Sequence, residues 1–177
     1  MRFAVLMRKQ NIDNPWISYR WVPLELLPDF GQFNDAAGNS ISGKFLERDE
    51  SGESWLFTGY ELNLFPDEAE GYYLNISATS PCWFVMWRLE EDIERYIDPQ
   101  SLPLARSEVT MAVPHRICVS YNEAGRLLDG GESVDTVVMT DEHASWLQEY
   151  VNENYRPEPK KRHRPASFKG AERTAEE

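Results

Sequence analysis

Few side chains in this sequence have both the type and the spacing to do chemistry. His115-Arg116-Ile117-Cys118 sets an imidazole three positions from a thiol, and Cys82 is the second thiol of the chain. Such groups ligate zinc, but zinc sites are built from two tight pairs and here there is one loose pair. On a regular strand, positions 115 and 118 point to opposite faces, so no metal site is expected. The same pair is the candidate for a nucleophile beside its base, which a carboxylate would have to orient. Both thiols lie in apolar, strand-like runs, where a buried reduced cysteine is the ordinary outcome. Two cysteines are also too few for a disulfide framework. The acidic run Glu90-Glu91-Asp92 with Glu94 has the oxygen ligands a hard cation wants, but a solvated turn is the expected reading. The glycine patterns that cradle phosphates are absent, and Gly130-Gly131 reads as a helix stop. No catalytic residue and no cofactor are assigned on these grounds.

Recognition is better supported than catalysis. Residues 1–155 carry 11 Lys+Arg against 26 Asp+Glu, a net charge of -15; residues 156–177 carry 7 against 4, or +3. Within that tail Lys160, Lys161, Arg162, His163 and Arg164 form one basic run between Pro159 and Pro165. An acidic body repels duplex phosphates, so nucleic acid is not the expected partner. A basic arm on such a body points instead to docking on an acidic or anionic partner. Trp16, beside Pro15 and opposite the Ile17–Trp21 face, is the second candidate contact. Trp83 and Trp87 share one strand face and are expected in the core. The partner-binding residues read from the sequence are therefore Lys160, Lys161, Arg162, Arg164 and Trp16.

The elements that must position these residues are mostly strands. Phe3–Arg8, Trp16–Leu27, Trp55–Phe65, Tyr72–Ala78 and Glu108–Val119 alternate or run apolar. Pro23 and Pro28 make the second an edge strand or break it, and Pro114 suggests a bulge or two shorter strands in the last. Asp29–Ser54 reads as a long loop holding at most a short hairpin. Cys82–Leu89 is apolar on both faces and should be a central strand, with Trp83, Val85 and Leu89 buried. The period then changes. Ser120 with Glu123 fits a capping box, followed by Ala124, Leu127 and Leu128 at helical spacing. Ser133–Met139 is a strand. Thr140 or Asp141 caps a helix running to about Tyr155, with Ala144, Leu147, Tyr150 and Val151 as its buried stripe. The fold class is α+β: a mostly antiparallel sheet or partly closed barrel of six to eight strands, with one or two C-terminal helices. One domain is expected over 1–155 and a basic, proline-containing, disordered tail over 156–177. No membrane-length apolar run and no signal-peptide pattern occur, so a soluble, cytoplasmic chain is expected.

Several marks in order along the chain carry a resemblance: Asp13-Asn14-Pro15-Trp16 and Trp21, then Tyr72 to Ile76, then Val119-Ser120-Tyr121-Asn122-Glu123-Ala124, Gly131-Glu132 and the basic ending Lys160–Arg164. Together they resemble a proteobacterial domain-of-unknown-function family, number 3305, whose genes lie beside molybdenum formate dehydrogenase genes. The resemblance implies a non-enzymatic accessory role in biogenesis of that enzyme, with formate dehydrogenase or a maturation factor as partner. A module holding a molybdopterin-type cofactor, or an enzyme using Cys118 and His115, are the alternatives it leaves open.

Overall fold

The computed structural model describes residues 1–33, 40–105 and 109–157; the basic run 160–164 lies outside them. Two antiparallel hairpins open the chain: β1 (Arg2–Asn11) with β2 (Tyr19–Pro28), and β3 (Ser42–Asp49) with β4 (Gly52–Glu61). They join through β1 and β4 into a four-stranded sheet of order β2-β1-β4-β3. A second antiparallel sheet places β5 (Cys82–Glu90) between β6 (Met111–Cys118) and β7 (Ser133–Val138). Four helices accompany them: α1 (Ala69–Ile76), the short α2 (Leu102–Ala105), α3 (Tyr121–Asp129) and α4 (Asp141–Asn154). The α+β reading of six to eight mostly antiparallel strands with C-terminal helices holds: the described residues contain seven strands, in two sheets rather than one. The sheets stay open and face each other, so the partly closed barrel does not hold.

Alternation explains the packing. Phe3, Val5 and Met7 of β1 face Trp83 and Val85 of β5, all at 1% exposure or less. The rings of Phe3 and Trp83 stand 4.7 Å apart, and His143 of α4 closes the cluster edge-on to Trp83 at 5.2 Å. Across the sandwich β2 packs over β7 and β4 over β6. The helix α3 covers the other face of the smaller sheet, where Phe84, Cys118 and Ala124 form a satellite cluster. That second cover is why β5 is apolar on both faces.

Local signals account for the helix ends. The Ser120 hydroxyl accepts the Glu123 N–H at 3.1 Å, as an N-cap should, and Thr140 caps α4 through the His143 N–H at 3.3 Å. Gly131 follows α3 at φ 83°, the left-handed conformation that glycine adopts without penalty. Pro114 precedes the expected bulge: Trp87 faces Pro114 and Met86 faces Arg116, leaving His115 unmatched. As expected, β2 is an edge strand.

Five expectations are corrected. Tyr72–Ala78 is not a strand but largely α1. Tyr72 and Asn75 are buried three positions apart, while Tyr73 and Leu74 are exposed. The helix follows a 3-10 turn opened by Pro66, so the Tyr/Leu/Ile alternation was a coincidence of two periods. Leu89 is 57% exposed: it lies past Ser133, where β7 begins, in a stretch flanked by β6 alone. Val109 is exposed too, because β6 starts only at Met111. Leu128 points to solvent, since α3 is seated through Tyr121, Ala124 and Leu127. In the Asp29–Ser54 stretch, the eight-residue β3 and the first residues of β4 replace much of the expected loop.

Candidate interaction site

Trp16 sits at the tip of the β1–β2 hairpin. The loop is closed at its base, where Ile12 N–H donates to Ser18 O at 3.0 Å. Inside it the Asn14 carboxamide accepts the Trp16 N–H at 2.8 Å, an Asx turn around Pro15. Proline and the turn fix the backbone, and the indole projects at 90% exposure. Ile17 beside it is also exposed, and Lys9 Nζ stands 4.2 Å over the Tyr19 ring at the same end. Of the predicted Ile17, Tyr19 and Trp21 face, only Trp21 reaches the core; its buried indole N–H has no hydrogen-bond partner among the described residues.

A second feature was not foreseen. A cleft of about 430 Å³ opens where the end of β4 passes the outer edge of β6, lined by Tyr60, Glu61, Leu62, Tyr72, Arg116 and Ile117 among others. The buried Tyr60 hydroxyl donates to Pro114 O at 2.7 Å at one end of it. Burial pushes the Tyr72 phenol up to about 12, although its oxygen accepts the Phe65 N–H at 3.1 Å. The cleft continues past Phe65 to Asp67, Glu68 and Arg126. There Ser120 serves two elements, capping α3 and donating to Glu68 at 2.7 Å. Arg126 Nη2 reaches Glu68 at 2.5 Å. Burial alone would raise the Glu68 carboxyl, but Ser120 and Arg126 together hold it below the usual range. Arg116 lies 2.6 Å from Glu123 Oε1 in ionic contact, off the axis of any N–H bond. Only the Ser120 cap was legible in advance. Nothing in the spacing of Tyr60 and Glu68 announces that they meet Pro114 and Ser120.

The chemical candidates are separated by the fold. Cys118 is 3% exposed under α3, and burial, then the Glu123 charge, pushes its thiol up to about 12. Cys82 is half-buried, and burial raises its thiol as well. Both cysteines are free. His115, on the bulge, turns to Glu90 at 2.6 Å and to the edge of Tyr96. Among the described residues no three His, Cys, Asp or Glu side chains converge to hold a metal ion. The acidic run divides at the same place: Glu90 meets His115, while Glu91, Asp92 and Glu94 are exposed around the buried Ile93. Lys160, Lys161, Arg162 and Arg164 lie outside the described residues.

Among the described residues no helix is long and apolar enough to cross a membrane. The sequence profile of a family described as "Protein of unknown function (DUF3305)" matches residues 2–164. No curated protein and no solved structure matches the chain.

Proposed function

Because the chain belongs to the DUF3305 family, we propose that it is a non-enzymatic accessory protein that acts by contact with another protein. One observation carries this reading. Trp16 is 90% exposed on a loop that Pro15 and the Asn14 turn hold in one shape. A large aromatic presented on a rigid tip is the usual anchor of an interface, because little conformational entropy is lost when it docks. The basic run Lys160–Arg164 would add an electrostatic arm that speeds encounter with an acidic partner. The resemblance to a proteobacterial family encoded beside molybdenum formate dehydrogenase genes supports, as the proposed partner, that enzyme or one of its maturation factors, met in the cytoplasm.

The test is capture of purified formate dehydrogenase by full-length protein, by Trp16→Ala and by a variant with Lys160, Lys161, Arg162 and Arg164 changed to Glu. Trp16→Ala should weaken capture roughly 30-fold, within the span of a hot-spot aromatic, with no change in thermal midpoint. The charge-reversed tail should weaken it in a salt-dependent way. Capture equal among all three would overturn the reading.

A second reading has its own support. The cleft beside β6 has a volume within the range of small-molecule sites, about 300–1,000 Å³. A molybdopterin-type group carried there would co-purify as a chromophore. An enzyme built on Cys118 and His115 is disfavoured: a thiol pushed up to about 12 is not a nucleophile near neutral pH.

A further inference from the structure

Among the described residues the two open sheets have four outer edges, and two of them are interrupted or covered in recognisable ways. Pro23, Pro28 and a bulge between the partners of Leu6 and Met7 interrupt β2. β3 is covered by the chain after β5: Gly43 N–H donates to Tyr96 O at 2.6 Å, and Asp98 N–H to Gly43 O at 2.9 Å. β7 is six residues long, and none of its residues lines the cleft. β6 differs. Its outer edge from His115 to Cys118 faces the cleft. At one end the Tyr60 hydroxyl takes Pro114 O, and at the other Asn75 Nδ2 takes Val119 O at 2.8 Å. Between these two carbonyls, among the described residues, no group outside the sheet hydrogen-bonds the strand's main chain.

The layering explains why there is room. Four strands lie over three, with β2 over β7, β1 over β5 and β4 over β6, so β3 has no strand of the smaller sheet beneath it. The segment after β5 occupies part of that place, bonding at Gly43 and, through Ser101 Oγ, at Phe45 N–H. The remainder, beside residues 115–119, is the cleft. Five residues of edge are about 16 Å long, enough to pair with a short extended segment.

We infer that this edge of β6 accepts an extended segment of a protein partner as a fourth strand, and that the segment carries a lysine or arginine. The inference rests on the interaction reading above and gives it a second contact. Main-chain pairing would supply affinity, and the cleft walls would supply selectivity. Charge selects the basic side chain. Arg116 is already held by Glu123 and Arg126 by Glu68. Glu61 in the wall, whose cross-strand neighbour is Arg2, and Asp67 further along line the cleft without a salt bridge of their own among the described residues. An incoming cation would find carboxylates outside the two pairs; an incoming anion would have to break one of them.

The probe is a displayed library of random linear peptides of about ten residues, selected on immobilised full-length protein, with enriched sequences resynthesised. Enriched peptides should contain Lys or Arg and should protect from hydrogen exchange those amides of residues 116–119 that point away from β5. N-methylation along a peptide should abolish binding at every second position, as strand pairing requires. Glu61→Lys, on an exposed side chain opposite Arg2 in the β1–β4 pairing, should weaken binding about tenfold in protein that still unfolds cooperatively. Absence of enrichment, insensitivity to N-methylation, or affinity unaltered by Glu61→Lys would each overturn the inference. Trp16→Ala separates the two readings. Peptides that bind it normally and fail on Glu61→Lys support the edge site even if formate dehydrogenase is not captured. Capture that needs Trp16, without any peptide enrichment, leaves the interaction reading standing and removes the edge.

Discussion

Gly71 of α1 and Ser120 at the N-cap of α3 are in such close approach that a Cβ on Gly71 would stand 2.1 Å from the Ser120 hydroxyl oxygen. That oxygen caps α3 and holds Glu68, so the helix crossing and the cleft wall are fixed at one point. Gly71→Ala should therefore destabilise the protein by about 1–3 kcal/mol, the range for overpacking a filled contact. Ser120→Ala should cost about 1 kcal/mol through the lost cap. The double variant should cost less than the two together, because removing the hydroxyl makes room for the new methyl. Chemical denaturation of the four proteins checks this, and strict additivity would show that the two sites do not touch.

Trp83 is 1% exposed against Phe3 and His143. Trp83→Ala should lower stability by about 3–5 kcal/mol. An unaltered denaturation midpoint would contradict the central position of β5. Leu89→Ala, on the same strand but 57% exposed, should shift stability by less than about 0.5 kcal/mol.

Cys118 and Cys82 should differ in reactivity. At pH 8 in native protein, iodoacetamide should label the half-buried Cys82 well before Cys118, and denaturant should remove the difference. Because the folded thiol of Cys118 titrates only near 12, its contribution is complete below the ordinary thiol value and lost as pH rises above it. Thermal midpoints of Cys118→Ala should therefore fall less steeply between pH 9 and 11 than those of the parent protein.

Glu68 gives the opposite slope. Its carboxyl is held below the usual range in the folded chain, so its contribution is present at neutral pH. That contribution is lost as pH falls through the folded value. Glu68→Gln should flatten the acid side of the stability profile. Arg126→Gln should do the same less strongly, since Ser120 still donates to the carboxylate. A profile identical to that of the parent protein would mean that the Glu68 contacts are screened in solution.

Patterns contained in one stretch of chain were legible from sequence. The double-faced apolar run of β5, the prolines of β2, the Ser120 and Thr140 caps and the bulge after Pro114 follow from local sterics and hydrogen bonding, which neighbours in sequence largely decide. The charge division between body and tail and the solitary Pro15-Trp16 pair likewise need no fold to be seen. Tertiary structure decided what those patterns could not. It made a helix of Tyr72–Ile76, where strand and helix periods coincide over so short a run, because burial of Tyr72 and Asn75 against other elements breaks the tie. It exposed Leu89 by ending β7 two residues short of it, and it set His115 and Cys118 apart by giving one to Glu90 and the other to α3. Above all it made the cleft, whose walls come from β4, α1, β6 and α3. The distance between Tyr60 and Pro114, 54 positions apart in the chain, depends on how two sheets stack, a property no local pattern encodes.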